Sequence, residues 1–134
     1  MENMYVRVPV AIKAKVTEDT KLKIIADLEE TVKQMQMDLE GFEFEARRVL
    51  NQAAGDLSKL PALRQQIEIR KGQMVEEKEA TEAKLERARN LEIGSEIGHG
   101  TLERTVEIRI GTNLDALMGA EILTEDGKII AFRD

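Results

Sequence analysis

The N-terminal segment has the pattern of a β-strand, but the neighbouring sequence offers it no partner. In residues 4–16, "MYVRVPVAIKAKV", every even position is apolar, as expected where alternate side chains of a strand point to one face of a sheet. A single strand cannot satisfy its own backbone N–H and C=O groups. Helical pattern follows until alternation returns near residue 101, so the far end of the sequence must supply the partner.

The composition favours long, solvated helices over a wide core. Of the 134 residues, 34% are charged and only 3% are aromatic, so few large side chains are available to fill a broad interior. A narrow seam of aliphatic residues between two helices needs no large side chains.

The sequence also predicts a cytoplasmic protein. It contains no cysteine, which excludes disulfides and thiolate chemistry and is compatible with a reducing compartment. It has no apolar run of about 18 residues and no signal-peptide pattern at its N-terminus, so we expect no membrane partner. The net charge of −6 argues against bulk coating of nucleic acid, although a local basic patch can still bind it.

The first half of residues 18–92 predicts a helix with one apolar seam. Thr17 is suited to cap its first turn, and Glu18 and Asp19 follow at the positive end of the helix dipole. The apolar residues are spaced alternately three and four apart, which is typical of heptads. They are Ile25, Leu28, Val32, Met35, Leu39, Phe42, Ala46 and Val49.

The second half predicts another helix, antiparallel to the first. Gly55 and Asp56 predict a turn, Pro61 suits a first helical turn, and Gly94 suits a helix end near Leu91. With the tip near residues 53–60, the facing pairs are Ile25 with Ala88, Leu28 with Leu85, Val32 with Thr81, Met35 with Lys78, Leu39 with Met74, Phe42 with Lys71 and Ala46 with Ile67.

Two features of this predicted seam leave alternatives open. Gly41 falls opposite Gly72, which indicates either a close approach or flexible point of the helices, or two independent surface glycines. The second helix also places Lys71, Lys78 and Thr81 on the seam, where they offer only aliphatic stems or a methyl group, so we expect incomplete burial.

Two apolar residues of the second helix lie off this seam. Ile69 and Val75 are candidate contacts with another copy of the chain or with the strand-forming part. On this basis we expect a homo-oligomer, the alternative being that both are ordinary exposed apolar residues.

The C-terminal third supplies the missing strands. Alternation in "TLERTVEIRIG" puts Glu103 and Glu107 on a polar face, where they suit the Arg7, Lys13 and Lys15 of the first strand. The segment "TNLDALMG" predicts a short helix capped by Asn113. Asp126-Gly127 predicts a hairpin turn between two further strands.

The predicted fold is therefore α+β. A long antiparallel two-helix coiled-coil hairpin, residues 18–92, projects by roughly 45–50 Å from a small base. The base is formed by residues 1–17 and 93–134 as one small sheet or partial barrel of three or four strands.

No catalytic motif is present in the sequence. It lacks a phosphate loop, a GxSxG elbow and paired histidines, so we predict no enzyme activity, cofactor, metal or small-molecule substrate. The one histidine, His99, could act as an acid or base with Glu96, but no nucleophile accompanies them. A loop or packing role is the preferred interpretation of His99.

The charges of the hairpin are polarised along its length. Residues 47–71 contain six basic and two acidic residues, a net charge of +4, whereas 18–46 and 72–92 together contain seven basic and fifteen acidic residues, a net charge of −8. A basic tip can contact RNA phosphates or an acidic protein surface, or it can serve solubility alone. The candidate contact residues are Arg47, Arg48, Lys59, Arg64, Arg70 and Lys71.

The segments "VPVAIKAKVTED", "LEIGSEI", "VEIRIGTNLDALM" and "DGKIIAFRD" together resemble the YlqD family of uncharacterised small bacterial proteins. The resemblance spans the whole chain but implies no catalytic or binding residues. Some members are encoded beside genes for ribosome and transfer-RNA maturation. The architecture is also similar to that of prefoldin subunits, which however place their strands between their helices.

These observations favour a non-enzymatic interaction or scaffold protein. In this hypothesis the basic tip contacts a large partner, of which a ribosomal or other RNA-containing particle is the leading example. The alternative is a prefoldin-like holdase chaperone that binds non-native chains, motivated by Met35 and Met74 on the seam and by the polar second helix.

Overall fold

The computed structural model describes residues 2–134, which divide into two compact units. One unit contains the residues up to Leu22 together with Leu91–Asp134, and the other is Lys23–Asn90. The predicted α+β class, with two long helices packed as a hairpin, is confirmed. In chain order the elements are β1 (Asn3–Lys15), α1 (Glu18–Ala53), α2 (Leu60–Arg89), β2 (Glu96–Arg109), α3 (Leu114–Leu117), β3 (Glu121–Glu125) and β4 (Lys128–Arg133).

The partner of the N-terminal strand comes from the C-terminal third, as predicted. The four strands form one open sheet in the order β2-β1-β3-β4. β1 pairs antiparallel with β2 along its whole length, and its last residues also pair parallel with β3. β3 and β4 form an antiparallel hairpin. The sheet therefore has β1 and β3 inside and β2 and β4 at its edges.

One face of β1 carries the small core of this unit. Its buried side chains are Val8, Val10 and Ala14, and the following Val16 is only 1% exposed. Because Val8 pairs with Arg104, this arginine lies on the apolar face of the sheet. Its Nη1 is 3.8 Å from Oδ1 of Asp134, and its buried Nε has no hydrogen-bond partner in residues 2–134.

On the opposite face of the sheet, only some of the expected pairs between β1 and β2 are present. Nη1 of Arg7 is 3.8 Å from Oε2 of Glu103, as expected for cross-strand neighbours. Glu107 instead accepts a hydrogen bond from Nδ2 of Asn3 at 2.6 Å, and Nζ of Lys13 is 3.9 Å from Oε1 of Glu121. The pairs of Arg7 with Glu103 and of Asn3 with Glu107 are exposed, so each contributes little to stability, whereas Lys13 and Glu121 are half-buried.

β2 begins at Glu96, before the predicted start at residue 101, and it contains His99. Ile12 pairs with Gly100 and Lys13 with Gly98, which leaves His99 as the extra residue of a β-bulge. Gly100 has a φ of 152°, a conformation that favours glycine. The expected loop at His99 is therefore wrong: the residue lies on a strand, and it is exposed rather than packed.

The two long helices pack along the predicted seam. Every seam residue of α1 is half-buried, and the partner residues of α2 are half-buried or buried. Ion pairs join the helices, with Nζ of Lys71 3.6 Å from Oε1 of Glu43 and Nη2 of Arg89 3.5 Å from Oε1 of Glu29. Since Glu43 is adjacent to Phe42, the first pair agrees with the predicted register within one residue.

Burial within the hairpin is incomplete, as the polar seam residues predict. No residue of α1 is buried, and in α2 only Thr81, Leu85 and Ala88 are. The hydroxyl of Thr81 is satisfied by donation to the carbonyl oxygen of Glu77 at 3.0 Å. The seam therefore gives the hairpin a modest apolar contact, without a continuous core.

The two mid-helix glycines do not mark a close approach of the helices. Gly41 and Gly72 are both exposed, and a Cβ built on either would meet no heavy atom within 4 Å. The structure therefore places them as surface residues in open space.

The predicted caps and turns of the strand-containing unit are present. Oγ1 of Thr17 accepts a hydrogen bond from the backbone N–H of Thr20 at 3.1 Å, so it caps α1. Oδ1 of Asn113 accepts from the backbone N–H of Asp115 at 3.0 Å and caps α3. Asp126 and Gly127 have φ values of 50° and 83°, as a tight turn between β3 and β4 requires.

Candidate functional site

The connection between α1 and α2, residues 54–59, forms an ordered turn. The backbone N–H of Asp56 donates to the carbonyl oxygen of Ala53 at 2.9 Å, and that of Lys59 donates to the carbonyl oxygen of Asp56 at 3.3 Å. Pro61 lies in the first turn of α2, where its missing N–H costs no helical hydrogen bond. This short connection brings the basic ends of the two helices together.

Asp56 is the polar centre of this turn. Its Oδ1 accepts hydrogen bonds from Oγ of Ser58 at 2.6 Å and from the backbone N–H of Ser58 at 3.1 Å. These hydrogen bonds from Ser58 lower the pKa of Asp56 below its ordinary value. Its carboxylate therefore organises the turn, and it is also 3.9 Å from Nζ of Lys59.

The six basic residues of the predicted tip fall into two groups along the hairpin. At 1.5 Å per residue, Arg47 and Arg48 lie within about 9 Å of the end of α1, and Arg64 lies about 6 Å from the start of α2, which Lys59 precedes. Arg70 and Lys71 lie about 15 Å along α2. All are exposed except Lys71, which is half-buried. They are therefore spread over roughly the last 15 Å of the hairpin.

Three of the six have a carboxylate partner. Nε of Arg48 donates to Oε2 of Glu45 at 3.0 Å, and this hydrogen-bonded pair lowers the pKa of Glu45. Lys59 and Lys71 lie near Asp56 and Glu43 respectively, as described above.

Arg47, Arg64 and Arg70 have no carboxylate oxygen within 4.0 Å in the part of the chain that the structure describes. Arg70 makes one long hydrogen bond, 3.4 Å, to Oε1 of Gln73. These three guanidinium groups are thus available to an external anion.

An exposed aromatic side chain adds to the tip. Phe44 is 66% exposed and lies three and four residues before Arg47 and Arg48, which makes the three side chains neighbours on the surface of α1. The sequence interpretation missed Phe44 because it considered only residues 47–71. Its spacing from the two arginines is the signal that could have identified it.

The two candidate oligomer contacts do not form one surface. Ile69 is 56% exposed, whereas Val75 is half-buried. Side chains that are six residues apart on an α-helix point in directions about 120° apart. The two residues therefore lie on different sides of α2. Their role as an oligomer contact stays a prediction.

Glu96, the candidate acid–base partner of His99, is bound by Arg133 instead. Arg133 donates two hydrogen bonds to the carboxylate of Glu96, with Nη2 2.9 Å from Oε2. This hydrogen bonding from Arg133 is the main cause that lowers the pKa of Glu96. Glu96 is therefore held ionised against Arg133, and the geometry gives no support to a catalytic pair with His99.

Within residues 2–134, no group of three or more histidine or acidic side chains is arranged to hold a metal ion. No helix in this part of the chain is long and apolar enough to cross a membrane.

The fold and the tip define an α+β protein with an open four-stranded sheet and a two-helix hairpin. The family model for the YlqD protein matches residues 4–133, so the chain belongs to the YlqD family. A crystal structure of a protein of unknown function from Synechococcus sp. WH 8102 is similar over 98% of this chain and 95% of that chain. Its TM-score is 0.86 and its sequence identity is 21%, a likeness of fold alone. No match was found among curated proteins.

Proposed function

We propose that this protein is a non-enzymatic interaction protein whose hairpin tip binds the phosphate backbone of an RNA-containing particle, with ribosomal particles as the leading example. The observation that carries the proposal is the set of three exposed arginines without carboxylate partners, Arg47, Arg64 and Arg70. The hairpin on either side of this basic stretch is acidic overall.

The chemistry of arginine supports a phosphate partner. Guanidinium groups present a planar set of N–H donors that can bind phosphate oxygens through two hydrogen bonds. Contacts to phosphates carry no sequence information directly, and they position a protein on a nucleic acid. The acidic part of the hairpin repels the same backbone, so the charge pattern favours contact at the tip over contact along the helices.

Phe44 extends this proposal to an unpaired base beside the bound phosphates. An exposed aromatic ring can stack on a base of any identity, and such stacking is worth about 1–3 kcal/mol. Phe44 is well placed for this because it adjoins Arg47 and Arg48 on α1. Contact through Phe44 would favour single-stranded segments or loops of the particle.

The test is the affinity of the purified protein for purified ribosomal particles over a range of salt concentrations. The tip variant carries Arg47→Gln, Arg64→Gln and Arg70→Gln. The matched control carries Lys23→Gln, Lys33→Gln and Lys84→Gln, three exposed basic residues elsewhere on the hairpin. Both variants lose three positive charges. A difference in affinity between them therefore reflects where the charges lie and not the net charge.

We expect the tip variant to lose at least tenfold in affinity and the control to bind almost normally. Each lost phosphate contact reduces the slope of log K against log salt by about 0.7–0.9, so the tip variant, which loses three, should lose about 2 to 3 units of slope. Equal binding by the two variants would contradict the proposal. The proposal also places the protein in the cytoplasm, where such particles are found.

The holdase alternative has no observation in its favour beyond the sequence. Met35 and Met74 are half-buried on the seam between the helices, so each presents only part of its side chain to a client. A groove of about 630 Å³ between α1 and α2 is lined mostly by charged and polar residues. Suppression of aggregation of a model substrate at near-stoichiometric ratios would favour this function over the tip proposal.

A further inference from the structure

The two edges of the sheet differ in their capacity to accept another strand. β4 has only six residues and begins with Lys128, and both a short edge strand and an edge lysine disfavour edge pairing. β2 extends from Glu96 to Arg109, contains neither lysine nor proline, and is regular beyond the bulge at His99. An edge strand of this kind presents unpaired N–H and C=O groups to a partner strand.

The charges of β2 match those of an identical strand in one antiparallel register. With a two-fold axis at Val106, Glu103 of each copy faces Arg109 of the other, and Val106 faces itself. In the same register Thr105 faces Glu107 and Arg104 faces Ile108. Opposite charges directly across a pair of strands are stabilising, and like charges are destabilising.

Neighbouring registers that keep the apolar faces together lack this match. An axis at Thr105 puts Glu103 opposite Glu107, and an axis at Glu107 puts that carboxylate opposite its own copy. An axis at Arg104 likewise opposes two guanidinium groups. An axis at Ile108 also pairs Glu107 with Arg109, but it overlaps only residues 107–109 of β2, whereas the axis at Val106 overlaps residues 103–109. Charge pairing and strand overlap together favour the axis at Val106.

The same register covers the most exposed apolar side chain of this unit. Ile110, 99% exposed, directly follows the last residue of β2, and Leu102 of the second copy, 54% exposed, is the residue that this register brings towards it. Leu102 lines a concavity of about 310 Å³ whose wall is apolar at Val10, Ile122 and Phe132 and also contains charged side chains, those of Glu103, Arg104, Glu121, Arg133 and Asp134. This register brings Ile110 towards the apolar Leu102, so apolar contact and charge pairing favour the same arrangement.

We propose that two copies of this chain associate through β2, antiparallel about a two-fold axis at Val106, to form a continuous eight-stranded sheet. Such an interface uses one surface twice, as two-fold dimers do. It involves neither Ile69 nor Val75, and it is independent of the proposed contact with RNA.

The first test uses two single charge reversals and their mixture. Glu103→Arg creates a chain with two arginines at the paired positions, and Arg109→Glu creates a chain with two glutamates. In the chain itself Glu103 pairs with Arg7, and Arg109 with Glu107 at 3.1 Å, so the two are not partners within one copy. Any mutual rescue must therefore act between copies.

Sedimentation equilibrium over a range of protein concentrations provides the readout, with far-UV circular dichroism as the check on folding. We expect the wild type to be a dimer, each variant alone to dissociate at least tenfold more readily, and their equimolar mixture to recover a heterodimer. Lys128→Glu on the other edge, β4, is the control and should remain dimeric. A monomeric wild type, or a dimer that persists in both single variants, would overturn the proposal.

A second test fixes the register. The chain contains no cysteine, so Val106→Cys introduces a single thiol that meets its own copy across the axis, at a separation compatible with a disulfide. Ile108→Cys is the control, because its two copies are offset by four residues, about 13 Å, which is too far for a disulfide. Rapid oxidative cross-linking is expected for Val106→Cys alone; equal cross-linking of the two variants would rule out this register.

Discussion

Arg133 and Glu96 form a two-point ion pair between the two edge strands of the sheet, with Nη2 of the arginine 2.9 Å from Oε2 of the carboxylate. In a flat sheet, three strand spacings of about 4.8 Å would separate β4 from β2. The residues also lie at different heights along their strands, because Arg133 aligns with Glu121 and Glu96 with Lys15. The pair therefore requires a strongly curved sheet, and it links the edges across the face that carries Lys13 and Lys15.

We predict that Glu96→Gln destabilises the protein in a pH-dependent manner. The pKa of Glu96 is lowered in the folded state, so the pair stabilises the fold above the ordinary glutamate pKa of about 4.3 and loses this effect as the pH falls through the lowered value. Urea unfolding of the wild type and Glu96→Gln at pH values from 3 to 7 measures the difference. A difference in unfolding free energy that does not shrink at the acidic end would contradict this prediction.

We predict that Thr17→Ala lowers the free energy of unfolding by about 1 kcal/mol, the usual cost of losing a helix N-cap. The Thr17 hydroxyl also donates to Oδ1 of Asp126 at 2.7 Å, so the same side chain ties the start of α1 to the β3–β4 turn. Thr17→Ser keeps both hydrogen bonds and is the control. Urea denaturation compares the three proteins, and equal losses in both variants would show that the methyl group matters rather than the cap.

We predict that Gly41→Ala and Gly72→Ala each stabilise the protein by up to about 1 kcal/mol. Both glycines are within helices, neither has a positive φ, and an added Cβ meets open space. The substitution therefore gains helix propensity without a steric cost. Thermal and urea unfolding provide the measurement. Destabilisation by either alanine would indicate a tight contact at that position, contrary to the structure.

We predict that Ser58→Ala raises the pKa of Asp56 towards its ordinary value. The side-chain hydrogen bond from Ser58 is the largest cause of the lowered pKa, and the substitution removes it while leaving the backbone hydrogen bond in place. Carboxyl chemical shifts followed by NMR across the acidic range report the titration directly. An unchanged titration of Asp56 would mean that the turn does not hold Ser58 against it.

The elements of this fold follow from local patterns in the sequence, whereas their neighbours in space do not. The spacing of Ile25 to Val49 predicts the helical seam, and Asp126-Gly127 predicts the β3–β4 turn, because helix period and turn chemistry are local properties. Alternation assigns the faces of a strand but not its neighbours, so the parallel pairing of β1 with β3 was not predicted. The early start of β2 was hidden by Gly98 and Gly100, which interrupt the alternating pattern at the bulge.

For the candidate site too, the sequence predicts the residues but not their contacts. Counting charges in the sequence identifies the basic residues of the tip, but it does not show which of them have a carboxylate partner. Arg48 is paired with Glu45, whereas Arg47 and Arg64 are available to an external anion. Such differences depend on side-chain geometry that residue order alone does not specify. The engagement of Glu96 by Arg133 likewise joins residues distant in sequence.

The central claim, that the hairpin tip contacts an RNA-containing particle, is tested most directly by sedimentation of the tagged protein in a cell-lysate gradient at low and moderate salt. The wild type, the Arg47, Arg64 and Arg70 glutamine variant, and the lysine control are run side by side. We predict that the wild type and the control migrate with ribosomal particles at low salt, and that the tip variant remains at the top. Wild-type protein that stays at the top of the gradient at every salt concentration would contradict the account.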